Sequence, residues 1–343
     1  MTTQFNNVSQ IPNFGQAWSL TVTNPSDAKG VSQTATLKAM AWTPETSRIV
    51  FEVNILGYSS HATFWTARIE LYNLSADQAQ NFIYGQGATV SLSAGYQAGP
   101  FGVIFQGVVY QALYERPDVV DSKVTLMCYT GLEETIANFA QFRGNASMTQ
   151  AALVAKMCAG ANVPIPIDPA SQPTLDALPQ TQLPRARPFF GDPHKFIDDM
   201  ATANNLQSWY GSNGVSVSTM ADADAVSTIT YTSKTGILGV PQQTQDGVSL
   251  VVALDPRLRV TVPPMQINIA SSIIRQYQFT PPDYRPILDP NGLYLVNGLQ
   301  FRGDSRGNQW ETEITALTSI GGRAAYVYAA TGSGPELDRR AAR

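Results

Sequence analysis

The chain has 343 residues, 43% of them apolar and only 14% charged, and its 22 Lys and Arg against 26 Asp and Glu leave a formal charge of −4. That apolar share argues against intrinsic disorder, and the mild negative balance argues against a basic nucleic-acid binder. The length suggests two or three domains, and Ser, Thr, Gln, Asn and Gly replace the missing charges, a surface that suits a chain working inside an assembly.

The start, Met1-Thr-Thr-Gln-Phe-Asn-Asn, has no basic segment followed by an apolar run, so no secretory signal is expected and synthesis in a cytoplasm is. No stretch approaches eighteen apolar residues, so no membrane-spanning segment is expected. Cys128 and Cys158 stand thirty positions apart without paired or zinc-like spacing, and both are expected to be buried reduced thiols.

From Trp18 to about Tyr129 the pattern alternates with period two and is rich in β-branched and aromatic residues. Trp18-Ser-Leu-Thr-Val-Thr, Arg48-Ile-Val-Phe-Glu-Val-Asn-Ile-Leu and Thr66-Ala-Arg-Ile-Glu-Leu-Tyr-Asn-Leu read as strands. Ser75 followed three residues later by Gln78 is a capping box, which predicts one short helix. Strands resume at Ala88 to Ala94, Gly102 to Tyr110 and Lys123 to Tyr129.

Between Gly131 and Gly160 the period changes. Leu132, Ile136 and Phe139, then Ala152, Ala155, Met157 and Cys158, have the spacing of two amphipathic helices. The stretch from Val163 to Pro193, with Pro164, Pro166, Pro169, Pro173, Pro179, Pro184 and Pro188, cannot hold a continuous ladder or helix and is expected to be an extended arm or loop. Asp192-Pro193 reads as an N-cap with proline at the first helical position, and Ser208-Trp-Tyr with Val215-Ser-Val-Ser as a small hairpin.

A third region, Gly236 to about Ala330, is again strand-like, at Val248 to Leu254, Met265 to Ala270, Tyr294 to Phe301 and Gln309 to Leu317. The expected organisation is mainly β, with a first tube-like β-barrel domain over 1–145, a helical and proline-rich insert with a small hairpin over 146–235, a second barrel over 236–330 and a flexible tail over 331–343. The strand series starting at Thr89, Val103 and Lys123 has an ordered counterpart starting at Gln266, Tyr294 and Thr312, which suggests duplicated β-domains. In this alignment Gly107 and Gly298 occupy the same mid-strand place, where glycine marks a bulge or bend.

Catalytic signatures are sparse. His61 and His194 lie in separate regions with no second histidine beside either, and HExxH, GxSxG, GxxxxGK and CxxC do not occur. Asp198 and Asp199 are adjacent on a predicted helix and cannot both face one substrate, while Asp222 and Asp224 fall in an Ala-rich turn. Gly85-Gln-Gly87 precedes a strand, against the context of a dinucleotide fingerprint, and Asn7, Asn73 and Asn145 match the glycosylation pattern without an export signal. Trp65, Trp209, Tyr210 and Trp310 could stack on sugars, yet strand aromatics more often pack in a core. No catalytic, cofactor-binding or metal-binding residue is assigned, and no cofactor is expected.

Tyr84-Gly-Gln-Gly-Ala-Thr-Val-Ser-Leu-Ser-Ala-Gly-Tyr, Ile104-Phe-Gln-Gly-Val-Val-Tyr and Val124-Thr-Leu-Met-Cys-Tyr-Thr-Gly together resemble the first domain of phage tail baseplate hub proteins. Thr235-Gly-Ile-Leu-Gly-Val-Pro-Gln-Gln-Thr-Gln-Asp-Gly-Val-Ser-Leu, with Leu254-Asp-Pro-Arg-Leu, is similar to the segment that opens the second barrel in that family and in the related late control protein D. The likeness covers about 84 to 131 and 235 to 318, and its motifs carry strands and turns but no catalytic residues. It implies a homotrimer whose chains each contribute two tube-like barrels, a pseudo-sixfold ring joining a hexameric tail tube to a trimeric central spike. The implied partners are further copies of the chain, the tail tube protein, the spike, other baseplate proteins and a tape measure protein. DNA would be passing cargo, and mild negative charge is compatible with a lumen that does not grip phosphate. The implied location is the virion, in the tail baseplate, after assembly in the host cytoplasm. A tail-associated module that binds or degrades glycans is the alternative.

Overall fold

The structure is a computed structural model that describes residues 15–24, 34–40, 47–56, 65–83, 87–130, 138–180, 182–204, 206–211, 214–218, 228–232, 235–244, 247–260, 265–270, 273–275, 288 and 291–318. Alternating apolar residues become strands as expected. The first region contains β1 (Gln16–Thr23), β2 (Thr34–Met40), β3 (Ile49–Leu56), β4 (Trp65–Tyr72), β5 (Thr89–Tyr96), β6 (Phe101–Glu115) and β7 (Lys123–Thr130). Helix α1 (Ala76–Ile83) interrupts them where the capping box lies: Ser75 Oγ accepts from Gln78 N, and Gln78 Oε1 accepts from Ser75 N, both at 3.3 Å. The third region contains β12 (Thr228–Tyr231), β13 (Ile237–Gln243), β14 (Gly247–Ala253), β15 (Gln266–Ile269), β16 (Leu293–Asp304) and β17 (Trp310–Thr318).

The suspected duplication extends to five strands. In the first region neighbouring strands run β3-β4-β7-β6-β5, and in the third they run β13-β14-β17-β16-β15, the same connections in the same chain order. Core positions agree as well: Ala67, Ile69 and Leu71 of β4 match Val248, Leu250 and Val252 of β14, and all six are buried. Val109 N donates to Ala88 O at 2.9 Å in one repeat, and Val296 N donates to Met265 O at 2.8 Å in the other. Directly after each of these valines the register slips by one residue, at Tyr110 opposite β7 and at Asn297 opposite β17. The bulges therefore define the repeat. They place Gly107 and Gly298 on equivalent strands but four positions apart, because Gly107 precedes its bulge by three residues and Gly298 follows its own by one.

The two tube-like β-barrel regions expected from the sequence are not two separate sheets. Among the described residues no set of strands closes on itself, and the regions share one sheet in the order β13-β14-β17-β16-β3-β4-β7-β6-β5-β1-β2, with β15 on β16 and β12 on β15. The seam is antiparallel, from Gly298 opposite Leu56 to Asp304 opposite Val50. Its cause is the outer edge of β3, whose row of backbone N–H and C=O groups finds partners in β16. Both repeats also feed one core: Phe51 meets Trp310 edge to face at 5.3 Å between ring centroids. Trp310 Nε1 donates to Gly95 O of β5 at 3.0 Å, so the sheet curls over its own core to bring β17 and β5 together.

The intervening segment has its own core. It contains β8 (Ala140–Gly144), α2 (Gln150–Ala159), a 3-10 turn (Pro169–Ser171), α3 (Gln172–Asp176), β9 (Arg187–Gly191), α4 (Pro193–Ala203), β10 (Gln207–Gly211) and β11 (Gly214–Ser218). The helix expected through Leu132 and Ile136 falls on 131–137, outside the described residues. The proline-rich stretch is not an extended arm, because Ile165, Leu175 and Leu178 are buried in this second core beside Val154, Met157 and Ile197. Its prolines break regular structure without preventing burial. Pro173 sits in the first turn of α3 and Pro188 lies in β9, which among the described residues forms a two-stranded sheet with β8.

Candidate functional site

Among the described residues, those that could carry chemistry do not converge. His194 starts α4 and is buried, its backbone N–H bonded to the N-cap Asp192 and its Nδ1 3.1 Å from the same carboxylate. Burial lowers its basicity more than Asp192 restores it. Asp198 accepts from Ser208 Oγ and Asp199 pairs with Lys195 at 3.3 Å, so the two carboxylates serve different local contacts. His61, Asp222, Asp224, Gly85 and Asn7 lie outside the described residues. Asn73 occupies a left-handed turn (φ 56°) and donates to Asp121 Oδ1 at 2.9 Å. Trp65 packs against the main core and Trp310 lies within it. Cys128 and Cys158 are buried free thiols, pushed up by burial to about 12 and about 11. Among the described residues no group of three or more His, Cys, Asp or Glu could hold a metal ion, and no helix is long and apolar enough to cross a membrane.

The ionised groups that are organised hold the fold. Arg257 places Nε and Nη2 at 2.9 and 2.6 Å from the two oxygens of the buried Asp255, which also accepts from Tyr231 Oη at 3.0 Å. Burial pulls the Asp255 carboxyl up, but these partners outweigh it and hold it below the ordinary range. In the sequence the string Leu254-Asp-Pro-Arg-Leu stood out only as part of the family likeness, and nothing in it pointed to Tyr231.

Several large apolar side chains remain exposed among the described residues. Tyr110 and Tyr114 of β6, Val119 and Val120 just beyond it, and Leu238 and Val240 of β13 are large apolar side chains left in solvent. In the middle unit Phe139 and Phe190 are also exposed, with ring centroids 6.0 Å apart.

No family model matches the chain, and no curated protein matches it. Solved structures do resemble it. The prophage MuSo2 43 kDa tail protein from Shewanella oneidensis superposes with a TM-score of 0.50 at 7% identity, covering 88% of this chain and 97% of that one. The tail protein from Neisseria meningitidis MC58 gives 0.48 at 10% identity, over 90% and 98%. The E. coli c3393 protein, described as a type VI secretion component structurally similar to the T4 bacteriophage tail proteins gp27 and gp5, gives 0.43 at 10% identity, over 80% and 75%. The chain shares the fold of the Shewanella tail protein along nearly its whole length.

Proposed function

We propose that this protein is a structural component of a phage tail, and specifically the hub at the centre of the baseplate. Three copies, each with two equivalent five-strand units, would present six docking units to a hexameric tail tube and a threefold face to the central spike, around a channel for DNA. The observation that carries this is the internal repeat, since a threefold object matches a sixfold one when every subunit repeats its docking unit. The shared fold with a tail protein supports it. The expected partners are the tube protein, the spike, other baseplate proteins and the tape measure protein.

Light scattering on the purified chain, alone and mixed with its tail tube protein, tests the assignment. Three copies are expected, and a stable dimer or a ring of six copies would overturn it. The chain is also proposed to lack hydrolase activity, so incubation with peptidoglycan or host surface polysaccharide should release nothing. Cleavage abolished by Asp198→Asn or Asp199→Asn would favour the glycan-degrading alternative. The exposed Phe139 and Phe190 pair is the one observation that favours glycan binding. Saturable binding of host polysaccharide that is lost in Phe190→Ala would support that second function.

A further inference from the structure

Among the described residues the chain has two hydrophobic cores with no member in common. One fills the two-repeat sheet and contains Cys128, and the smaller one fills the middle unit and contains Cys158. Each core therefore carries one buried free thiol that reports on its own opening. Units with separate cores can open separately, and the one that buries less apolar surface has less to hold it shut.

Histidine is the side chain whose ordinary titration falls between about pH 5 and 8. This chain has two, His61 in the first region and His194 in the middle unit. His194 is in the first turn of α4 and is only 3% exposed. Its Nδ1 lies 3.1 Å from Asp192 Oδ1, which also accepts the His194 backbone N–H at 2.9 Å. Facing a carboxylate, Nδ1 holds the proton of the neutral ring, so a second proton has to go onto Nε2, an atom closed off from solvent. The ring also stands at the positive end of the α4 dipole, which disfavours added positive charge. Other charges around α4 are committed elsewhere. Lys195 and Asp199 pair with each other in solvent, and Asp198 accepts from Ser208 Oγ of β10. Of the elements packed on α4, β10 has no charged residue, and α2 has Lys156, which donates to Arg143 O at 2.8 Å and lies over the Phe142 ring. Arg187 stands at the end of β9 away from α4, opposite Gly144. Asp192 is the carboxylate that offsets an imidazolium, and burial outweighs it.

We propose that His194 makes the middle unit acid-sensitive: opening of that unit frees the imidazole to take up a proton, so the unit opens in mild acid while the two-repeat sheet stays closed. The direction follows from linkage. A base whose basicity is lowered in the closed state binds its proton preferentially in the open one. The unit's stability is therefore full above the ordinary histidine value of about 6.5 and falls as pH drops below it. The sheet answers differently, because its organised acids, Asp255 and Asp304, are held below the ordinary carboxylate range and keep their ion pairs through mild acid. The inference rests on the two cores and the place of His194, and it is independent of the hub assignment.

The test is thiol labelling of the full chain with a dipyridyl disulfide, which reacts in mild acid, at a series of pH values from neutral down to about 5, across the histidine range. Each rate is divided by that of the denatured chain at the same pH, and the two thiols are told apart by peptide mass. Cys158 labelling should rise by up to roughly tenfold per pH unit below about 6.5, the slope of one proton taken up on opening, while Cys128 stays protected. His61→Gln should keep that slope, since its remaining histidine is His194, and His194→Gln should flatten it whatever its rate at neutral pH. If His194→Gln leaves Cys158 open at every pH, the slope in His61→Gln decides. A Cys158 rate without pH dependence, a slope lost in His61→Gln or kept in His194→Gln, or Cys128 opening together with Cys158 would overturn the proposal.

Discussion

Arg48 and Asp304, 256 residues apart, form a two-pronged ion pair with Nε to Oδ1 at 3.0 Å and Nη2 to Oδ2 at 2.6 Å. Arg48 precedes β3 and Asp304 ends β16, so the pair clamps the end of the seam between the two repeats. The Arg48 guanidinium also lies 5.0 Å from the centre of the Tyr72 ring.

Burial raises the Asp304 carboxyl, but hydrogen bonds from Arg48 and from the Arg306 N–H outweigh it and hold the acid below its ordinary range. A carboxylate with a depressed folded pKa stabilises the fold above its unfolded pKa, and that stability is lost as pH falls through the folded value. Asp304→Asn should therefore lower stability by about 1 kcal/mol at neutral pH, the range for a partly exposed pair of good geometry. The gap from the parent should close as pH drops below about 4, where unfolded Asp begins to hold its proton. Thermal midpoints of both proteins from pH 7 to 2.5 check this, and a constant gap would refute it.

Gly107 has no room for a side chain. A Cβ there would collide with Tyr129 O and come within 2.8 Å of Phe105 Cζ and Thr130 Oγ1. Gly107→Ala should cost on the order of 1 to 3 kcal/mol, as overpacking against fixed backbone does. Chemical denaturation measures this directly, and a change below a few tenths would show that β7 yields easily.

Trp310 joins the two repeats across the core through its bond to Gly95 O and its edge-to-face contact with Phe51. Trp310→Phe retains an aromatic ring but leaves the carbonyl without this donor, for an expected loss of about 1 to 3 kcal/mol. Urea unfolding should keep a single transition for the two-repeat sheet, because both repeats share one core. Separate transitions for the first and third regions would contradict that shared core.

Both thiols titrate far above neutrality because burial disfavours the thiolate, at about 12 for Cys128 and about 11 for Cys158. Ellman's reagent at pH 8 should find neither in the native chain and both after denaturation. Rapid labelling of Cys158 alone would instead show the middle unit opening independently.

Much of the sheet was legible in the sequence because strand identity is a local property. Period-two alternation marked β1, β3 to β7 and β14 to β17, and Ser75 with Gln78 marked α1. The counterpart of Thr89 was placed at Gln266 in the register that the structure shows, since both lead into alternating residues on one buried face. The alignment of Gly107 with Gly298 failed by four residues because a bulge inserts a residue where side-chain pattern alone cannot count it, and only the partner strand reveals the slip. The proline-rich stretch was misjudged for a related reason: proline forbids ladders and helices locally, whereas burial of Ile165, Leu175 and Leu178 depends on helices distant in sequence.

The sequence by itself determined the strands, the capped helices, the absence of a catalytic signature and the existence of a repeat, all of which follow from residue type and spacing within short windows. Tertiary structure alone decided that the two repeats share one sheet and one core, because the edge of β3 could have paired with its own region, with β16 or with another chain, and backbone hydrogen bonds carry no sequence label. It likewise decided which edges lack a partner strand among the described residues, at the end of β6 and the start of β13, since an unpaired edge exists only after every other edge has been assigned a partner.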